Sequence, residues 1–151
     1  MWNVTAHNEN KLLVIKSDNV FDYGSLRDLL TRIYIHDNGT YASYNRYADL
    51  SAIETIEVDL DTVVETVKGY RRFKRQSNDV KIAVFLRNST VRPLAYIYTL
   101  STETKMVNIN IFSSVEECAE YLQVDQSLLT ECNSSMPPFL TTQGRQICRD
   151  F

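Results

Sequence analysis

The stretch VKIAVFL, Val80–Leu86, is apolar at every position except Lys81. A strand with one wet face alternates polar and apolar side chains, so a nearly unbroken apolar run describes a strand covered on both faces. Sheets buried in this way are parallel sheets with helices on their faces, and this run is therefore expected at the sheet centre. Both flanks agree. Before it, Leu60, Val63, Val64, Val67 and Tyr70 recur at helical spacing, with Gly69 weakening the helix only late in its course. After it, Pro93 suits the first turn of a helix, and Leu94, Ile97, Tyr98 and Leu100 give that helix a broad apolar face.

Further along, Val107, Ile109 and Ile111 alternate with Asn108 and Asn110, which predicts a strand with one wetter face near a sheet edge. SSVEECAEYL follows. Ser113 with Glu116, or Ser114 with Glu117, supplies a capping box, and Val115, Cys118, Ala119 and Leu122 supply a buried helical stripe. Asp125 is placed to cap one more short turn, DQSLLTEC.

Toward the N-terminus, Trp2–Ala6 and Lys11–Lys16 read as a hairpin turning through His7, Asn8, Glu9 and Asn10, and Ser17, Asp18 and Asn19 stop its second strand. Leu26, Leu29, Leu30 and Ile33 mark a helix that Asp22 or Ser25 caps. Asn38 and Gly39 accept positive φ and end it, and Tyr44–Leu50 reads as the next strand. The order ββαβαβαβα requires crossovers between parallel strands. The expected fold is α/β: a mixed, largely parallel sheet with an N-terminal antiparallel hairpin and four main helices. One domain is expected over residues 1–132, with 133–151 a docked or flexible tail rich in breakers.

Composition narrows the function classes. The chain has 151 residues, 44% hydrophobic and 23% charged, which suits a single globular core, and it has no apolar run of the roughly 18 residues that define a membrane span. A net charge of −3 and a pI near 5.4 disfavour nucleic acid as a partner. MWNVTAHNENKLLVIK does not resemble a secretory signal, and Cys118, Cys132 and Cys148 show no CxxC or metal spacing, so a cytoplasmic protein is expected. The Asn-x-Ser/Thr triplets at Asn3, Asn38, Asn88 and Asn133 are then without consequence.

Four segments in order, RYADLS (Arg46–Ser51), KIAVFL (Lys81–Leu86), LAYIYTL (Leu94–Leu100) and INIFSSVEECAEYL (Ile109–Leu122), resemble the SpoIIAA-like branch of the STAS superfamily, the sulfate transporter and anti-sigma factor antagonist domains. The resemblance runs from Lys11 to Leu122. It implies a non-catalytic regulatory or protein-interaction module. Signalling members of that family carry a phosphorylatable Asp-Ser motif just before the second helix. Here Glu57, Val58 and Asp59 stand in that place, and Ser51 and Thr55 are out of register with it, so a phosphorylation switch of that type is not expected.

The acids Glu57, Asp59 and Asp61 suit the positive end of a helix, and their functional reading is a permanent partner surface shared with Leu94, Tyr96 and Tyr98 of the third helix. The basic run RRFKR offers Arg71, Arg72, Lys74 and Arg75 to an anion or lipid headgroup, against the plainer role of complementing a helix C-terminus. Nine tyrosines, and a third helix apolar on most sides, allow a ligand cleft or a homodimer face. His7 and His36 fall in turns, no GxSxG, HExxH or glycine-rich phosphate loop occurs, and Asp22, Asp49 and Glu54 carry no specific spacing. No enzyme activity, cofactor or metal is expected. The partner is then an unknown protein or, alternatively, an apolar, lipid-like small molecule carried by the domain.

Overall fold

A computed structural model describes residues 2–72, 79–87, 92–105 and 108–130. It is a mixed α/β structure. The strands are β1 Asn3–His7, β2 Leu12–Lys16, β3 Val20–Phe21, β4 Asn45–Asp49, β5 Thr55–Ile56, β6 Ile82–Phe85 and β7 Ile109–Phe112. The α-helices are α1 Tyr23–Tyr34, α2 Leu60–Arg71, α3 Arg92–Glu103, α4 Val115–Leu122 and the short α5 Gln126–Thr130. The expected tail, 133–151, lies outside the described residues.

Local chemistry sets the element boundaries. The hairpin β1–β2 is antiparallel, and Lys11 closes its turn at φ 48° with its N–H donating to the Asn8 carbonyl at 3.3 Å. At α1, Asp22 Oδ1 accepts from the Ser25 amide at 2.7 Å while the Asp22 amide donates to Ser25 Oγ at 3.4 Å, so both proposed residues share one capping box. Asp37, Asn38 and Gly39 then take φ of 51°, 56° and 72°, breaking the 3₁₀ segment His36–Ser43 and turning the chain into β4. At α4 the register is the second of the two expected, with the Glu117 amide donating to Ser114 Oγ at 3.2 Å.

The main sheet has the order β1-β2-β4-β6-β7, and every pairing after the hairpin is parallel. Parallel crossovers share one hand, so strands added in sequence place their crossover helices on a single face. That is the observed packing: Leu26, Leu30 and Ile33 of α1, Val63 and Val67 of α2 and Ile97 of α3 join one core with Leu13, Ile15, Ile82 and Val84. The chain reverses sides only after β7. Cys118, Ala119 and Leu122 of α4 and Leu129 of α5 form a second core with Leu12, Val14, Tyr47 and Ala83 on the opposite face.

One expectation is corrected. VKIAVFL is covered on both faces, Ile82 and Val84 on one and Ala83 on the other, yet it occupies the fourth position of the sheet. The middle strand is β4, NRYAD, whose Arg46 and Asp49 interrupt its apolar pattern. An apolar run reports two-sided burial, and a strand one place in from the edge receives it once a helix such as α4 covers its second face. β7 is an edge strand, as β1 is at the other side, with Asn110 exposed and Ile109 and Ile111 turned to the larger core.

Candidate functional site

The sheet register explains the main internal feature. On the face covered by α1, α2 and α3, two rows of side chains cross the parallel strands: Leu13–Arg46–Ile82–Ile109, and Ile15–Ala48–Val84–Ile111. In the second row a methyl group stands between two branched side chains in the middle of the sheet. Above this position lies a cavity of about 170 Å³ whose walls are carbon almost throughout. Ala48 and Val84 belong to its floor, Leu30, Val67 and Ile97 reach it from the three helices, and Trp2 and Phe21 close one end. Two-residue strands β3 and β5, paired in parallel as Val20↔Thr55 and Phe21↔Ile56, hold that end together.

The aromatic wall is fixed by several contacts. Trp2 Nε1 donates to the Val20 carbonyl at 3.4 Å, and its ring lies 5.4 Å from Phe21. Phe21 meets Tyr96 edge to face at 6.4 Å, and the Tyr96 hydroxyl donates to the Val58 carbonyl at 2.9 Å. Arg46 is also in the lining and is buried; its Nη2 donates to the Ala42 carbonyl at 3.1 Å and its guanidinium sits 5.6 Å above the Tyr34 ring. Burial holds the Arg46 pKa below its usual value, with Tyr34 acting in the opposite sense and the Arg71 charge adding to the lowering. A second buried cation, Arg32, pairs with Asp28 at 2.5 Å beneath Trp2, whose carbonyl accepts from Arg32 Nη1 at 3.5 Å.

The residues singled out from sequence separate into groups. Glu57, Asp59 and Asp61 are exposed at the start of α2. Asp59 is the N-cap, accepting from the Thr62 amide at 2.8 Å and the Thr62 hydroxyl at 2.7 Å, and these bonds lower its pKa. Through the Tyr96–Val58 bond the structure does bring this helix entrance against α3. Tyr96 itself is half-buried in the cavity wall, whereas Tyr98 is 61% exposed; the Leu94 side chain lies outside the described residues. Of the basic run, Arg71 donates to the Thr104 carbonyl, Arg72 is exposed at the end of α2, and Lys74 and Arg75 lie outside the described residues.

The acids considered for catalysis are held locally. Asp22 caps α1, Asp49 accepts from the Ser51 amide at 3.0 Å and the Ser51 hydroxyl at 2.5 Å, and Glu54 is exposed. Among the described residues no group of three or more His, Cys, Asp or Glu side chains is placed to hold a metal ion, and no helix is long and apolar enough to cross a membrane. Sequence reasoning missed Trp2, Ala48 and Arg46 as cavity residues. The available signal was the small residue at an inward position of RYADLS, which gains meaning only when the register is known.

No protein-family model, curated protein or solved structure matches this chain.

Proposed function

We propose that this chain is a non-catalytic α/β binding module that holds a compact apolar molecule between its sheet and helices α1–α3. The observation that carries the reading is the carbon-lined cavity of about 170 Å³ over Ala48. A cavity of about 150 Å³ lined by aliphatic and aromatic residues stays dry and accepts benzene, so the ligand class is a small aromatic or branched aliphatic molecule and not a full acyl chain. Recognition is by shape and exclusion from water, because the wall offers almost no polar atoms. The resemblance to SpoIIAA-like STAS domains supports a binding role, and sequential parallel strands after an antiparallel N-terminal strand are in keeping with it. The working compartment in this reading is the cytoplasm.

A second reading, a protein-interaction module or homodimer, is favoured by one observation: Tyr98 stands 61% exposed on α3, which packs beside the acidic entrance of α2.

The single tryptophan gives a direct test, since Trp2 is in the cavity wall. Titration of the purified chain with toluene should change Trp2 fluorescence saturably, and native mass spectrometry should detect a small-molecule adduct on the monomer. A linear, unsaturable response together with an unliganded mass would reject the carrier reading, and a dimer in the same spectrum would favour the second.

A further inference from the structure

The opposite face of the sheet ends in a different chemistry. At the carboxyl ends of the parallel strands the register aligns Lys16, Asp49, Phe85 and Phe112 in one row. Over this row, beside α4 and α5, lies a groove of about 500 Å³. That size falls in the range of roughly 300–1,000 Å³ usual for ligand clefts. Its position outside the carboxyl ends of parallel strands is also where α/β sheets present open backbone ends and loops to ligands.

The groove lining combines polar groups, among them Lys16, Ser17, Asp49, Ser51 and Arg87, with the hydrocarbon of Phe85, Val115 and Leu129. Lys16 sits directly across from Asp49, yet the Asp49 carboxylate is turned onto the Ser51 amide and hydroxyl, and Lys16 forms no ion pair with it. Arg87 likewise has no carboxylate within ion-pair distance among the described residues. The Ser17 hydroxyl is enclosed in the same wall with no hydrogen-bond partner among the described residues. Two cations without an ion pair among the described residues, and a hydroxyl without a hydrogen-bond partner there, therefore line a cleft that also presents hydrocarbon, while the Asp49 carboxylate in the same lining is engaged by Ser51.

We propose that this groove is a second binding site, for a small organic anion whose carboxylate or phosphate group lies between Lys16 and Arg87 and accepts from Ser17 Oγ, with its apolar body against Phe85, Val115 and Leu129. The site is separated from the cavity by the sheet, and its existence does not depend on the cavity being occupied. Charge-assisted hydrogen bonds give the head-group selectivity, and the hydrocarbon wall selects against inorganic anions.

Amide chemical-shift mapping of the full chain tests this with phenyl phosphate, benzoate and benzyl alcohol as probes. The expected result is that either anion moves the amides of Ser17, Ser51 and Arg87, while benzyl alcohol at the same concentration does not. The stronger of the two anions identifies the head group. The double variant Lys16→Gln/Arg87→Gln should retain the wild-type melting temperature, because neither side chain forms an ion pair among the described residues, and should bind roughly tenfold or more weakly, as the loss of charged hydrogen bonds predicts. Anion binding of unchanged strength in the double variant would overturn the proposal. So would equal shifts with benzyl alcohol, or shifts confined to Ala48 and Val84 on the other face, which would place the probe in the apolar cavity.

Discussion

Replacing Ala48 with isoleucine should stabilise the protein and close it to apolar ligands. Ala48 stands in the row Ile15–Ala48–Val84–Ile111 and on the cavity floor, so an added side chain projects into empty space. At about 24 cal/mol per Å³, a void of about 170 Å³ represents a ceiling of about 4 kcal/mol of forgone stability. Isoleucine adds three carbons, which at ~0.8 kcal/mol each contribute about 2.4 kcal/mol if fully buried. Imperfect fit against Trp2 and the helices takes back about 1 kcal/mol, at the low end for overpacking. The net expectation of 1–2 kcal/mol, at about 2–4 °C per kcal/mol for a chain of this size, raises the melting temperature by about 2–8 °C. β-branching at this strand position adds no conformational penalty. Urea and thermal denaturation measure the gain, and toluene titration followed by Trp2 fluorescence measures the loss of binding. A variant that melts below the wild type, or one that still takes up toluene with wild-type affinity, refutes the reasoning.

Asp28→Ala leaves Arg32, 1% exposed, without its carboxylate and should cost about 3–5 kcal/mol in urea denaturation, whereas Asp28→Leu/Arg32→Met should recover most of that loss; a cost near zero for the single change would mean that water reaches the pair. Stability should fall on acidification below about pH 4: bonds from the Ser25 hydroxyl and amide hold the folded Asp22 pKa below its unfolded value of about 3.9, so its contribution is complete above that value and is lost as the pH drops through the folded one. Asp22→Asn should make the acid limb of melting temperature against pH shallower, and an unchanged limb would exclude this cap as a contributor. Burial, followed by the charges of Glu117 and Asp49, pushes the Cys118 thiol up to about 12, so iodoacetamide at pH 8 should leave Cys118 unmodified in the native protein and label it in urea; rapid native labelling would show that α4 opens.

What the sequence made legible was the part of the fold that local chemistry decides. The caps at Asp22, Asp59 and Ser114, the hairpin turn and the left-handed run at Asp37–Gly39 are interactions within a few residues, and each is visible as a residue type at a fixed offset. Strand position is not local. β6 looked central because both its faces are apolar, while β4 is central and carries an arginine whose burial depends on Ala42 and Tyr34. β3 and β5 contain two residues each, too short for any period to register. The apolar third helix and the basic run RRFKR point to Tyr96 and Arg71 as surface groups, but each makes a bond to a backbone carbonyl more than thirty residues away, Val58 and Thr104. A cavity is still less local, since it depends on which side chains fail to meet.

The central strand concentrates these departures. Parallel strands at the middle of an α/β sheet read as continuous Val, Ile and Leu when stability alone governs them. In β4 the two residues facing α1–α3 are Arg46, a cation whose desolvation lowers its pKa, and Ala48, which leaves a void; branched apolar residues at both places would remove each cost. Of the residues facing the other way, Tyr47 and Asp49 belong to the wall of the polar groove, and Asp49 is bent onto Ser51 at the point where the strand ends. Alternation along one strand thus gives each face of the sheet its own compartment. A local pattern broken at the middle of a sheet, where packing is otherwise least tolerant, is a feature expected of binding sites rather than of a scaffold optimised for packing, and in RYADLS Arg46 and Asp49 break its apolar character while Ala48 leaves its packing incomplete.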